Sequence, residues 1–255
     1  SFTKNEANVQ NGAKGGAIYV EGKYTLIDGS NFADSLAKFR GGAIYIDGAN
    51  AKVKDSNFTD SSITGGQYGK DNPRGGAIYI MADNAVVEGS IFNHSAVSNT
   101  VGEGGAIFIQ GKYANILASE FESSTANCGG AMYSTGSYSL VYNSNFTNNL
   151  VELNGGAIYW YGGSNSQYNT VDGCIFTNNT AYAKTTSSDA TRGGGAIYWS
   201  EDGKHGTVKN SKFYYNSVQS ANDKKVDGGA ILWDKSYHAL VDNCRFVGNF
   251  VITDG

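Results

Sequence analysis

Short runs of β-branched and aromatic residues recur along the chain, four to six residues long, each bounded by Gly, Asn, Asp or Ser. They read as short strands, and no stretch carries the 3.6-residue period of an amphipathic helix. The runs belong to an internal repeat. GGA recurs with its first glycine at Gly15, Gly41, Gly75, Gly104, Gly129, Gly155, Gly194 and Gly228, followed by an apolar residue and then, in all but the last copy, an aromatic one. Alternating with it are Phe2, Phe32, Phe58, Phe92, Phe121, Phe146, Phe176, Phe213 and Phe246, each with Asn or Ser three residues later.

From first glycine to phenylalanine the chain takes 17 residues in the first five repeats and then 21, 19 and 18. The return to the next GG ranges from 8 to 18, so one arc of the repeat is nearly fixed and the other absorbs insertions. Repeats of 25 to 39 residues are too short for four-stranded propeller blades, which need about 40 or more. They suit coils of two or three short strands stacked about 4.8 Å apart, so eight coils predict a rod of roughly 38 Å. Three residues before each Phe stands Gly29, Asp55, Gly89, Ala118, Asn143, Gly173, Asn210 or Asn243. Seven of these eight tolerate left-handed backbone, which predicts a corner there. The next residue is always Ser or Cys, small enough to sit beside the Phe at an inner corner. Asn and Ser three after Phe are expected to stack from coil to coil and satisfy backbone groups of the turn.

The alternation of GGAI with FxxN over essentially the whole chain resembles the passenger repeats of chlamydial polymorphic outer-membrane proteins and the adhesin-like surface proteins of methanogenic archaea. The arc VDNCRF, starting at Val241, also resembles the parallel β-helix repeat of polysaccharide lyases. Either resemblance implies a right-handed parallel β-helix, here a single domain over residues 1–255. The first also implies an extracellular, cell-surface adhesin or stalk. The chain opens and closes midway through a repeat without a polar cap, as expected for a piece of a longer surface protein.

Composition narrows this further. Thirty-five Gly beside 13% aromatic residues place glycine in packed structure, and a net charge of −4 leaves no footprint for nucleic acid. No apolar run is long enough to span a membrane as a helix. Cys128, Cys174 and Cys244 have neither disulfide-framework nor zinc spacing. Cys174 and Cys244 share a column two coils apart, beyond disulfide reach, and are expected as buried thiols. His94, His205 and His238 are read at unrelated phases of the repeat, and no cofactor or metal motif is present; calcium on Asp47, Asp71 or Asp83 stays open.

Four groups of residues carry candidate chemistry. Four residues before Phe runs the column Asp28, Lys54, Glu88, Leu117, Tyr142, Asp172, Lys209, Asp242. Asp172, Lys209 and Asp242 would be the catalytic set of a lyase or glycosidase, or else a ladder of opposite charges on neighbouring strands. After each GGAI-type copy come Tyr19, Tyr45, Tyr79, Phe108, Tyr133, Tyr159, Tyr198 and Leu232, then Val20, Ile46, Ile80, Ile109, Ser134, Trp160, Trp199 and Trp233. Strand alternation sends these columns to opposite faces. The preferred phase buries the Val20 column and exposes tyrosine, as a platform for sugar rings or a ladder that only strengthens stacking. The inverse phase exposes the three tryptophans. Insertions follow Phe-x-x-Asn/Ser, so they emerge from one edge; the longest carry Tyr68, Tyr182 and Lys224. Asn57, Asn93, Asn145 and Asn178 begin sequons for glycosylation. The expected protein is thus a non-catalytic surface adhesin or stalk that meets glycans or another cell. A polysaccharide-cleaving enzyme and a filament subunit that self-associates through its ends are the alternatives.

Overall fold

The structure is a computed structural model that describes residues 1–9, 12–66, 71–98, 100–162, 166–182, 192–200, 203–220, 226–235 and 237–253. Those residues form a parallel β-solenoid without a helix. Each coil contributes to four stacked sheets, one more than the two or three strands expected. An eight-stranded Ile sheet holds the GGAI strands, beginning with Ile18–Val20. An eight-stranded Val sheet begins with Leu26–Asp28, and a nine-stranded Phe sheet with Phe2–Thr3. The fourth, a nine-stranded return sheet starting at Glu6–Ala7, lies in the arc of variable length. Ser62–Ile63, Thr180–Tyr182 and Ser217–Ser220 are strands of it, at the start of what the sequence presents as insertions.

Four sheets need four corners, and each is made by one residue with positive φ. The corner before Ser or Cys is left-handed in all eight coils, from Ala118 at φ 44° to Gly173 at φ 66°. Ala118 alone brings a bare methyl into this conformation, at φ 44°. Left-handed backbone costs an L-residue about 1–2 kcal/mol, partly offset by the extra freedom of glycine when unfolded. Ala118→Gly is therefore expected to raise stability by about 0.5–1 kcal/mol, read as a higher thermal midpoint. The other corners are the first Gly of each GG pair, the residue two after Phe, and the residue eight before Phe.

In-register pairing lays equal residues on one another, as in Phe92 opposite Phe58 and Phe121. The phenylalanines become one continuous stack inside the rod: Phe121, Phe146 and Phe176 are fully or almost fully buried with ring centroids 4.8 Å apart. Ile44, Ile46, Val53 and their equivalents fill the same core. Beside the phenylalanines, Ser56 Oγ accepts from Ser30 N–H and donates to the Lys54 carbonyl, a pattern repeated at Ser90, Ser119 and Ser144.

Past Phe, the predicted polar ladder divides in two. Asn149, Asn179, Asn216 and Asn249 form an amide ladder in which each side-chain amide donates to the next Asn oxygen at 2.9 Å. Each of those oxygens also accepts the backbone N–H of the preceding Asn. At Ser35, Ser61, Ser95 and Ser124 the hydroxyls have no partner among the described residues. Asn179→Ala would strand the N–H and amide of Asn149 and the Phe146 carbonyl in the interior. The expected cost is about 2–3 kcal/mol in denaturant unfolding, against under about 0.5 kcal/mol for the exposed Asn145→Ala.

Candidate functional site

The charge column lies in register on the outer face of the Val sheet, with Asp172 opposite Lys209 and Lys209 opposite Asp242. Lys209 Nζ stands 3.5 Å from Asp172, whose second oxygen accepts from the Asn210 amide. These residues form a rung-to-rung ladder along a sheet. In the first coils the ion pairs depart from the column: Lys52 bonds Glu88 at 2.5 Å and Lys54 bonds its neighbour Asp55 at 2.7 Å. A cavity of about 520 Å³ lies elsewhere, over the return sheet, lined by residues such as Val97, Leu150, Val151 and Tyr182, with Glu152 the carboxylate among its lining.

The tyrosine column points away from the core, yet it is not the exposed stripe that alternation alone predicts. Tyr45, Tyr79, Phe108 and Tyr133 form a buried cluster of their own. The cover comes from the position just before each GG, where Lys14, Arg40, Arg74, Glu103 and Cys128 pair in register. Lys14 Nζ sits 4.6 Å from the Tyr45 ring centre, and the guanidinium carbons of Arg40 and Arg74 sit 5.2 and 4.7 Å from Tyr79 and Phe108. Such cation–π contacts roof the rings, and Glu103 holds Arg74 in place through a 2.6 Å ion pair. Burial pushes the Tyr79 phenol upward, and its hydroxyl donates to Gln110; Tyr45 donates to the Met81 sulfur and Tyr198 to Asp234. Burial also raises Tyr159 and Tyr133. Tyr19, in the first coil, is 45% exposed and bonds Asp47, which pushes its phenol up to about 12.

Trp160 and Trp199 are buried in the main core, with Trp233 packed against it, so the inverted phase is not the one adopted. Room for Trp199 comes from Gly206, where any Cβ would press on the indole. Cys174 takes the serine position in its coil; burial raises its thiol to about 12, while Cys128 and Cys244 are only half-buried. Asp71 pairs with Arg40, and Asp83 accepts the Lys112 N–H. Among the described residues no cluster of three or more His, Cys, Asp or Glu is placed to hold a metal. Asn57 and Asn145 are exposed on the outer face of the Phe sheet, Asn93 is half-buried there, and Asn178 is exposed at the following corner. Tyr68 and Lys224 lie outside the described residues.

One aromatic column escaped the sequence reading. At the corner between the Ile and Val sheets stand Tyr24, Asn50, Asn84, Tyr113, Tyr138, Tyr168, His205 and His238, all left-handed with φ between 56° and 60°. From Tyr113 onward their rings stack without a break, at centroid separations of 5.0, 5.2, 4.5 and 4.8 Å. Tyr113, Tyr138 and Tyr168 are 48%, 44% and 44% exposed, the opposite of the roofed ladder. His205 and His238 thus share one phase, which corrects their assignment to unrelated positions; the signal was their constant offset of eight residues before Phe. Counting from the glycines hid it, because the last three arcs carry four, two and one extra residues between GG and Phe, which shifts Tyr168, His205 and His238 by different amounts.

The corner, Phe, Asn and GGAIY elements of neighbouring coils are also what a family comparison detects. Residues 143–159 and 173–198 match the Chlamydia polymorphic membrane protein repeat. The polymorphic membrane protein repeat match spans the Asn143 corner, Phe146, Asn149 and Gly155–Tyr159, and again Gly173, Phe176, Asn179 and the strand to Tyr198. Every framework position in the match therefore has a structural duty: left-handed corner, stacked core ring, amide ladder or close-packed glycine. No curated protein and no solved structure matches the chain.

Proposed function

We propose that this chain is a non-catalytic segment of a surface-exposed, outer-membrane-type protein, an adhesin-like rod of one solenoid domain whose flank meets a partner. The observation that carries this reading is the polymorphic membrane protein repeat match, a family of surface repeats rather than enzymes. The arrangement of the surface supports it. The Asp172, Lys209 and Asp242 column runs along a sheet face, apart from the cavity over the return sheet.

The contact surface in this reading is the Tyr113–His238 corner. The exposed tyrosines there are flanked by Lys112, Asn115 and Gln167, so rigid aromatic rings stand beside polar side chains, as in many binding surfaces. Stacking and the fixed left-handed corner order the rings before any partner arrives, which lowers the entropic cost of binding. Antibody labelling and protease shaving of intact source cells test the location, and binding of the purified chain to target cells tests the role. Surface labelling with cell attachment is the expected result. Cleavage of an acidic polysaccharide by the purified chain would overturn it.

A further inference from the structure

The exposed ladder has an unusual constraint: its ring faces are occupied by one another, so only ring edges and polar rims are offered outward. An aromatic edge is electropositive, because the ring quadrupole concentrates negative charge on the faces. A row of edges carrying phenol hydroxyls and imidazole nitrogens therefore suits an oxygen-rich partner rather than an apolar one. The neighbouring Val-sheet positions on the same rungs are Asn115, Leu140, Thr170, Thr207 and Leu240, so neutral hydrogen-bonding groups are interspersed with apolar side chains, a mixture that suits the hydroxyls and C–H faces of sugars. Rungs repeat every 4.5–5.2 Å in a straight line parallel to the rod. A polypeptide strand laid along that line would be out of step, since it repeats side chains on one face at roughly 6.5–7 Å. An extended β-1,4-linked pyranose chain is in step, because each sugar advances by close to one rung.

We infer that the corner from Tyr113 to His238 is a linear binding site for an extended β-1,4-linked glycan, lying parallel to the rod axis with one sugar residue per rung. The inference rests on the proposed role of this corner as the contact surface and names the chemistry of its partner. Five rings, Tyr113, Tyr138, Tyr168, His205 and His238, define a site about five sugars long. The column ends where Asn84 and Asn50 replace aromatics at the same corner, φ 59° and 60°. Those asparagines also show which substitution the fold accepts.

Isothermal titration with cello- and chito-oligosaccharides of two to eight residues is the test. Affinity is expected to climb with length to about five sugars and then level off. A Tyr138→Asn, Tyr168→Asn double variant, built on the residues found at Asn50 and Asn84, is expected to keep its thermal midpoint and lose about tenfold or more in affinity. Tyr138→Phe, which keeps the stack but not the hydroxyl, is expected to fall in between. Absence of binding, affinity independent of length, or an unaltered double variant would each overturn the inference. Cell attachment separates this from failure of the broader reading. If the double variant loses attachment while no oligosaccharide binds, the corner is a contact surface for another partner. If attachment survives in the double variant, the corner is not the contact surface at all.

Discussion

Gly76→Ala is expected to abolish folding. Its Cβ would lie well inside van der Waals contact of the Gly105 carbonyl oxygen in the next coil and 2.6 Å from the Ala96 carbonyl oxygen of the return strand. Both obstacles are backbone, fixed by ladders on either side, so relief requires two coils to separate. The backbone of Gly76 itself is not left-handed; closeness of approach, rather than φ, makes the residue irreplaceable. The second glycines of the neighbouring pairs, Gly42 and Gly105, are held in the same way. Gly22→Ala is the matched control, since its Cβ would meet only the Thr25 hydroxyl at an ordinary 3.5 Å. Soluble yield and far-ultraviolet circular dichroism distinguish the two: loss of the β-sheet signal for Gly76→Ala, a change within about 0.5 kcal/mol for Gly22→Ala. A cooperative, wild-type-like transition in Gly76→Ala would refute the close packing of coils described here.

Phe146→Ala follows in size. The ring has no exposure and lies between Phe121 and Phe176, 4.8 Å from each. Its removal opens a cavity that two rigid in-register neighbours cannot close, at an expected cost of about 3–5 kcal/mol in urea unfolding. Because each coil contacts only its neighbours, that loss is expected to split the transition, with coils on the two sides of the gap melting apart. Tyr142→Ala, on the outer face, is expected to change stability by under about 0.5 kcal/mol. Equal effects from the two variants would mean that the phenylalanine stack is not the backbone of the core.

What could be read from the residues alone was whatever recurs at constant intervals for a reason internal to one coil. The GG pairs, the Phe stack and the left-handed corner before Ser or Cys all belong to that class, and the corner holds even at Ala118, whose side chain argues against it. Burial of the Tyr45 column was not legible, because it depends on Lys14, Arg40 and Arg74 reaching over rings of another coil. Alternation assigns a side chain to a face, and only the neighbouring coil determines whether that face stays wet. The return sheet was hidden by insertions that begin at its own strands. The Tyr168–His205 continuity was hidden by the choice of origin, since an insertion between glycine and corner shifts one count and leaves the other unchanged.

The coil from Gly129 to Asn154 accepts on its lower face the same backbone contacts it offers on its upper face: Gly105 of the preceding coil donates to its Gly129 carbonyl, and its Gly130 donates to the Gly155 carbonyl of the following coil. Phe146, Ser144 and Asn149 likewise meet equivalent residues above and below. A coil of this kind is interchangeable in the manner of a brick in a course. Tandem duplication of its coding segment would add one rung of about 4.8 Å and one position to every column without disturbing the others. The length of such a rod, and with it the reach of any surface it carries, can therefore change by whole units in a single genetic event while every other coil keeps its packing.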